Sequence, residues 1–452
     1  MAQGNHQDTS TFFNTFADTA SARSINVLLC LAASENMEIS TVDIKTAFLY
    51  SPIKEIIYLK RPPGLSPNIM PSLVKLNKCI YGLRQAAHEW RILLDSTLKG
   101  FGFTQLKTDA CIYHITISNQ PITGTLILGV FVDDILCLGT NSSIIHWFQS
   151  ILSNKFSITI KSDVESFLGM HVTRNRDFKS ISLSQPGYIS SLMSRFHIQS
   201  SSTVSYPICP MSSIDFQDST NIPLTPSQQK LFMQIVGSLL FLSTRSRPDL
   251  SFAVNYLSLY MTQGTQHHLD LCYKVLQYIW QSRHLTLTFN GTKGLNFYVM
   301  VDSSYASHTD RKSHYGFSVQ MNDQSGSCIS VSKKSTLLAL SSTEAEYIGM
   351  YEASKLIMWL RQFLLELGFP PTSPTFLHED NKSAIHIALH GNDKGRTKHM
   401  DVRCHLIRDL VKTNVIQIQY QPTESMVADI LTKPLDAKLF FNHRSHLLGH
   451  LV

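Results

Sequence analysis

The sequence predicts an α+β chain in three parts: a first region of helices and strands around an acidic hairpin, a helical middle, and a mixed α/β end. Three observations carry this. Residues 126–132 form an apolar run, Asp133 and Asp134 follow, and residues 135–138 form a second apolar run. Such a pattern reads as a β-hairpin that presents two carboxylates side by side. Three stretches with helical periodicity, 227–244, 248–261 and 267–282, follow a polar, Pro-containing linker at 200–226. Beyond residue 285, a series of strands gives way to a long helix at 342–367 and then to alternating helices and strands, the order of a mixed α/β domain.

Taken in order, residues 22–33 place Ile25, Leu28, Leu29 and Ala32 at helical spacing, and a strand ending at Val42-Asp43-Ile44 follows. Asp43 therefore stands at a strand end. Pro62, Pro63, Gly64, Pro67 and Pro71 punctuate a surface loop, after which residues 73–76 and 79–90 lead into a helix reaching about residue 99. Strands resume at 111–116 and run into the acidic hairpin. Further strands are expected at 166–173 and 180–183, before the chain turns helical. In the last part, strands are expected at 285–289, 295–301, 315–321 and 327–331, ahead of the long helix. A short strand at 375–377, helices near 382–390 and 399–412, a strand at 415–420 and a terminal helix complete the chain.

Composition narrows the class. The length of 452 residues suggests about three domains, and a hydrophobic fraction of 43% supplies real cores. Charged residues make up only 16%, but the net charge of +6 has the sign that suits a polyanionic partner. Eight cysteines without a C-x-x-C pair or regular spacing argue against a zinc ribbon or a disulfide framework and for a reducing, intracellular home. Apolar runs are of strand length and the first 22 residues are polar, so neither a secretory signal nor a membrane span is expected.

The acids carry the chemistry. Adjacent carboxylates repel unless a divalent cation lies between them, so the hairpin calls for metal, an ordinary Asp-containing turn being the plain alternative. A second constellation follows. Asp302 ends an apolar strand, Glu346 lies in the segment 341–347, Asp380 follows a short strand, and Asp429 lies in the segment 428–435. Glu344 is a rival to Glu346, but residues two apart do not share a helix face, so at most one of them joins the set.

The motifs around these acids resemble a known family. The run Thr41-Val42-Asp43-Ile44-Lys45-Thr46-Ala47-Phe48-Leu49-Tyr50, with Ile57-Tyr58-Leu59 and Pro62-Pro63-Gly64, looks like the first palm motif of copia-type retrotransposon reverse transcriptases. Cys79-Ile80-Tyr81-Gly82-Leu83-Arg84-Gln85 resembles their Y-G-L-K-Q segment, and Phe131-Val132-Asp133-Asp134 is similar to their Y-V-D-D box, with Phe for Tyr. The ordered motifs continue through Phe167-Leu168-Gly169-Met170, and the later acids resemble the D-E-D-D set of the family's ribonuclease H domain.

The resemblance implies a right-hand polymerase palm with partial fingers over residues 1–175 and a mostly helical thumb and connection over 176–284. A ribonuclease H-like domain with a mixed five-stranded sheet would cover 285–440, with a tail at 441–452. It implies Asp43, Asp133 and Asp134 as polymerase metal carboxylates, and Asp302, Glu346, Asp380 and Asp429 as those of the ribonuclease. Each site would hold two Mg²⁺ (or Mn²⁺) ions, spaced to activate the nucleophile and hold the leaving group. Phe48 would block a 2′-hydroxyl on the incoming nucleotide, with Arg84 and Gln85 as further nucleotide contacts and Phe167, Leu168 and Gly169 as the primer grip. Arg311, Lys312, Lys333, Lys334, Arg396, Lys398 and His399 are candidate nucleic-acid contacts, a solvated basic face being their plain alternative. Implied partners are an RNA template, a DNA primer, an RNA/DNA hybrid and dNTPs, with an integrase or a second polymerase subunit of the same element as further candidates.

Two departures temper the expectation. The first 22 residues contain no Lys or Arg, and the chain is expected to begin after most of the finger strands, so a triphosphate should bind weakly. The family's S-D-A-D-W-A becomes Val301-Asp302-Ser303-Ser304-Tyr305-Ala306, which keeps the first Asp and loses the second. The alternative to an active enzyme is therefore a remnant that keeps the fold and nucleic-acid binding alone.

Overall fold

The computed structural model describes residues 2–8, 12–62, 64–119, 121–162, 164–198, 204–208, 222–291, 295–390 and 401–450, the last stretch with side chains from 405 onward. Two compact units result: Met1–Ile25 with Met37–Val164, and Asn26–Asn36 with Glu165–Val452. Helix α1 (Ala22–Ser34) contributes most of its length to the second unit.

The first unit is built on a six-stranded antiparallel sheet. Its elements are β1 (Glu38–Ile44), a small hairpin of β2 (Tyr58–Lys60) and β3 (Leu73–Lys75), α2 (Ala86–Gly100), β4 (Thr104–Gln105), β5 (Ile112–Ile117), β6 (Gly124–Phe131), β7 (Asp134–Gly139), α3 (Ser142–Ser153) and β8 (Ile158–Lys161). Sheet order is β4-β5-β6-β7-β1-β8, so β1 is inserted between the acidic hairpin and β8. The apolar runs of β6 and β7 are buried, and Trp90, Leu94, Leu98 and Phe148 from α2 and α3 pack into the same core. Asn141 caps α3 by accepting from the Ile144 N–H at 3.1 Å.

The second unit holds two sheets and two sets of helices. Strands β9 (Ser166–Phe167), β10 (Met170–Asn175) and β11 (Ser180–Ser184) are followed by α4 (Pro186–Arg195), α5 (Pro226–Arg245), α6 (Ser251–Ser258) and α7 (Gln266–Gln281). Thr225 and Gln228 form a capping box at α5, with Pro226 in its first turn. After β12 (Leu287–Asn290), β13 (Tyr298–Ser304), β14 (His314–Gln320) and β15 (Ile329–Lys334) form a meander, and α8 (Ser342–Glu366) crosses to β16 (Thr375–Glu379). Helices α9 (Lys382–His390) and α10 (Asp401–Lys412), strand β17 (Ile416–Tyr420) and α11 (Ala437–Leu448) complete it. The order β15-β14-β13-β16-β17, with β13-β16 and β16-β17 parallel, is a mixed five-stranded sheet.

The fold differs from the sequence expectation in several places. The strand expected at 285–289 is not part of the five-stranded sheet; β12 pairs with β11, Leu287 opposite Leu183, and extends the sheet of β9–β11. Leu287 and Phe289 are buried there, and strand periodicity names a strand without naming its partner. Residues 248–261 are not one helix, because a 3₁₀ turn over Pro248–Leu250 precedes α6. Residues from 441 to 448 form the second half of α11 and bury Leu447 and Leu448, rather than trailing as a tail. Most of the expected linker at 200–226 lies outside the described residues.

Close approach at two glycines sets the geometry of the later acids. On α8, a Cβ at Gly349 would stand 2.5 Å from Ser303 Oγ and 3.1 Å from Val301 Cγ2, so this glycine lets the helix that carries Glu346 lie on β13. On β14, Gly316 sits opposite Asp302, and a Cβ there would meet Leu431 Cβ at 2.6 Å. Replacing Gly316 with Val should therefore push the 427–432 segment off the sheet and cost about 1–3 kcal/mol, as overpacking does. A lowered urea midpoint would register this; unchanged stability would contradict the packing argument.

Candidate catalytic centres

The first centre grows from a two-residue hairpin turn. Phe131 pairs with Asp134, leaving Val132 and Asp133 as the turn. Val132 takes a left-handed backbone with φ of 59°, strained for a β-branched residue, and hydrogen bonds pin it there. Trp90 donates its indole N–H to the Val132 carbonyl at 2.8 Å, and the Ile44 N–H donates to the Asp133 carbonyl at 2.9 Å. Register then sets Asp43 of β1 directly opposite Asp134 of β7. Three half-buried carboxylates thus share one sheet end. Burial first, and then Asp43, raises the pKa of Asp133; burial, Asp133 and Asp43 raise that of Asp134, against the opposing pull of Lys161. Acids pushed toward the neutral form by one another's charge suit a divalent cation, and aspartates are the hard oxygen donors that Mg²⁺ takes.

Around these acids the structure sorts the remaining candidates. Phe48 lies on a 3₁₀ turn, Ala47–Tyr50, and its ring stands 4.6 Å from that of Tyr81. Tyr81, which nothing in the sequence singles out within its motif, faces the acids: burial and then Asp133 push its hydroxyl pKa up. Arg84 and Gln85 are engaged elsewhere. Arg84 donates from Nε to the Gly4 carbonyl at 2.7 Å and lies over the Phe12 ring. Gln85, buried at the start of α2, accepts from Gln7 at 2.9 Å and donates to Glu55 at 3.3 Å.

Phe167, Leu168 and Gly169 belong to the second unit. Phe167 is buried and pairs with Met170, and Leu168 and Gly169 both have positive φ, as a tight two-residue hairpin turn of type I′ requires.

The second centre gathers acids from three kinds of element. Asp302 lies near the end of β13, and continuing the parallel register Met300↔His378 by two residues sets it beside Asp380, just past β16. Glu346 sits one turn before Gly349 on α8. Oxygens of Asp302, Glu346 and Asp380 all lie within 4.8 Å of one another, the one such group among the described residues. Glu344 points elsewhere: its carboxylate accepts from the Leu340 N–H at 2.7 Å, just ahead of α8.

Asp429 arrives on the 3₁₀ turn Val427–Leu431, held against Gly316. Its neighbours Thr432 and Lys433 come with it. The Thr432 hydroxyl donates to Asp302, and Lys433 Nζ stands 2.9 Å from Asp429 Oδ1 and 3.7 Å from Asp302 Oδ1. Thr423 donates to Asp380 at 2.7 Å.

Electrostatics marks this cluster as overcharged. Burial, then Glu379, Asp302 and Asp380, raise the pKa of Glu346 well above the usual carboxylate range. Burial and Asp302 push Asp429 up to about 8, although Lys433 opposes them. Glu379 is a fifth acid, fully buried beside the others and raised likewise, chiefly by burial. Oε2 of Glu346 and Oε2 of Glu379 are buried without a hydrogen-bond partner. Orphaned carboxylate oxygens around a compact acidic trio are the donor set that a hard divalent cation fits.

Glu379, Thr432 and Lys433 were not singled out from the sequence. Only Lys433 carried a signal, its i,i+4 spacing from Asp429. Of the basic candidates, Lys312 and Lys334 converge on Asp310 at 3.9 and 2.9 Å. Arg311 and Lys333 are exposed, and Arg311 lines a cavity of about 250 Å³ with Tyr256, Tyr260 and His308. Arg396, Lys398 and His399 lie outside the described residues.

Comparison with known proteins places the chain among relatives. Residues 1–210 match the family described as Reverse transcriptase (RNA-dependent DNA polymerase). The chain is 31% identical over 442 residues, 95% of its length, to the retrovirus-related Pol polyprotein from transposon TNT 1-94 of Nicotiana tabacum, covering 32% of that relative. It is 29% identical over 438 residues, 96% of its length, to the corresponding polyprotein from transposon RE1 of Arabidopsis thaliana, covering 29% of it. With the transposon Ty1-BL Gag-Pol polyprotein of Saccharomyces cerevisiae it shares 27% identity over 462 aligned positions, covering 97% of this chain and 25% of the relative. The chain thus spans about a third or less of the relatives it matches. Among the described residues no helix is long and apolar enough to cross a membrane. Motifs and relatives converge: residues 1–210 match the reverse transcriptase family, and along nearly its whole length the chain is similar to transposon Pol polyproteins.

Proposed function

We propose that this chain is an RNA-directed DNA polymerase with ribonuclease H activity, extending a DNA primer at the first centre and hydrolysing the RNA strand of an RNA/DNA hybrid at the second. The observation that carries this reading is the convergence of Asp302, Glu346 and Asp380 at one sheet end, in a chain that also sets Asp43 opposite Asp134. Divalent cations, when bound, lower the pKa of the attacking water or 3′-hydroxyl and stabilise the leaving oxygen. Asp43, Asp133 and Asp134 would hold them at the first centre, and Asp302, Glu346, Asp380 and Asp429 at the second. Phe48, braced by Tyr81, would stand as the wall that disfavours a 2′-hydroxyl on the incoming dNTP. Arg311, Lys312, Lys333 and Lys334, near one edge of the five-stranded sheet, would meet hybrid phosphates, which makes binding weaken steeply with salt.

A second reading, fold and hybrid binding without nucleotide addition, is favoured at the first centre by one observation: Arg84 and Gln85 are occupied by Gly4 and Gln7. Two assays separate the readings. With Mg²⁺, the chain should cut the RNA of a labelled hybrid and extend a primer on an RNA template. Asp134→Asn should lower extension at least about a hundredfold and leave cutting intact. Cutting without extension by well-folded protein would select the second reading, and neither activity would defeat the proposal.

A further inference from the structure

The four acids of the second centre do not stand alike toward a cation. Asp302, Glu346 and Asp380 bring oxygens within 4.8 Å of one another. Asp429 is outside that trio, and its Oδ1 is held by Lys433 Nζ at 2.9 Å, while the same ammonium reaches Asp302 Oδ1 at 3.7 Å. One short turn therefore delivers an acid, the Thr432 hydroxyl and an ammonium to a single edge of the cluster. The ammonium lies between Asp302 and Asp429, two of the carboxylates that would hold a second divalent ion. Two cations held together in this buried cluster repel strongly, so they exclude one another. Lys433 has somewhere to go: its side chain keeps 34% of its surface exposed, against 1% for Asp429.

We propose that Lys433 is the resident counter-ion of the second cation position. The trio takes the first divalent ion, and a second enters between Asp302 and Asp429 only by displacing the Lys433 ammonium toward solvent. This rests on reading the cluster as a ribonuclease H-type metal centre. Loading is then sequential, with a tight first site and a second site weakened by the fraction of time that Lys433 occupies it.

The test uses the full chain carrying Asp43→Asn, Asp133→Asn and Asp134→Asn, so that the first centre adds no ions, titrated with Mn²⁺ while free Mn²⁺ is counted by electron paramagnetic resonance. Two unequal sites are expected. Lys433→Gln should tighten the second at least about tenfold and leave the first within about twofold, whereas Lys433→Arg should bind as the parent does. An unchanged or weaker second site in a folded Lys433→Gln protein overturns the proposal. A measurement on the unaltered lysine guards against misfolding of the variant. Acylation of the Lys433 amine, followed by mass spectrometry, should stay flat while the first site fills and rise severalfold as the second fills; a flat response throughout also overturns it. Absence of any Mn²⁺ site that Asp302→Asn abolishes would instead overturn the metal-centre reading itself.

Discussion

Replacing Glu346 with Gln should end cleavage of the RNA strand and, at the same time, raise the melting temperature of the metal-free protein at pH 8. Both effects come from one feature. Glu346 is buried, its Oε2 lacks a hydrogen-bond partner, and burial together with Glu379, Asp302 and Asp380 drives its pKa well above the ordinary value. Glu379 moves in the same direction, and Asp429 rises to about 8. For groups raised in the folded state, stability is fully present below the unfolded carboxylate values near pH 4. It is lost as pH climbs through the folded values, because the native protein must then surrender protons that the unfolded chain has already lost. Every tenfold change in a carboxyl's proton affinity on folding is worth about 1.4 kcal/mol, so the metal-free protein should lose on the order of a few kcal/mol between pH 5 and pH 8. Mg²⁺ at pH 8 should restore much of this. Glu346→Gln should flatten the profile and shrink the Mg²⁺ effect. Thermal melts at pH 5, 6.5 and 8, with and without Mg²⁺, make the comparison, and a wild-type profile that is flat without metal would sink the argument.

The largest stability loss is expected far from both centres in sequence, at Asp249→Asn. Arg247 and Asp249 have side chains only 1% and 0% exposed. They form a two-pronged pair, Nε to Oδ1 at 2.9 Å and Nη2 to Oδ2 at 2.8 Å. Ser282 takes two more guanidinium protons, through its carbonyl at 3.0 Å and its hydroxyl at 2.7 Å, and Tyr278 donates to Asp249 at 2.6 Å. Burial disfavours the charged aspartate, but Arg247 and Tyr278 outweigh it and hold the Asp249 carboxyl below its usual range. Removing one charge strands the other in the core, at a cost of about 3–5 kcal/mol. The double change Arg247→Met with Asp249→Leu should cost less than Asp249→Asn alone, because no charge is left behind. Urea unfolding of the three proteins measures this; a double variant at least as unstable as the single would contradict it. Arg444 of α11 also donates to Tyr278, at 3.2 Å, so the network ties down the helix that follows the Asp429–Lys433 segment.

The hairpin around Asp133 and Asp134, the helices of the middle region and the strand order of the meander are legible in the sequence because each depends on local periodicity. A helix stripe or an alternating strand repeats within a few residues, and the Asp-Asp step breaks an apolar run whatever the rest of the chain does. Partners are less legible. Leu287 and Phe289 mark a strand, yet only folding shows that they lie on β11 rather than beside β13. Glycines at 316 and 349 look like breakers inside a strand and a helix, and their use as points of close approach emerges only where Leu431 and Ser303 press on them.

By itself the sequence indicated most of the elements, named two sets of acids as candidates and, through its motifs, pointed to the family. Tertiary structure alone decided which acids meet. It set Asp43 against Asp134 by strand register, closed Asp302, Glu346 and Asp380 into a trio, and added Glu379, Thr432 and Lys433 to it. It also turned Arg84 and Gln85 toward Gly4 and Gln7. The physical reason is range. Periodicity and turn chemistry act over a handful of residues and are written where they act, whereas a carboxylate's neighbours in space come from segments up to 130 residues apart, as Asp302 and Thr432 do, and depend on the packing of everything between them.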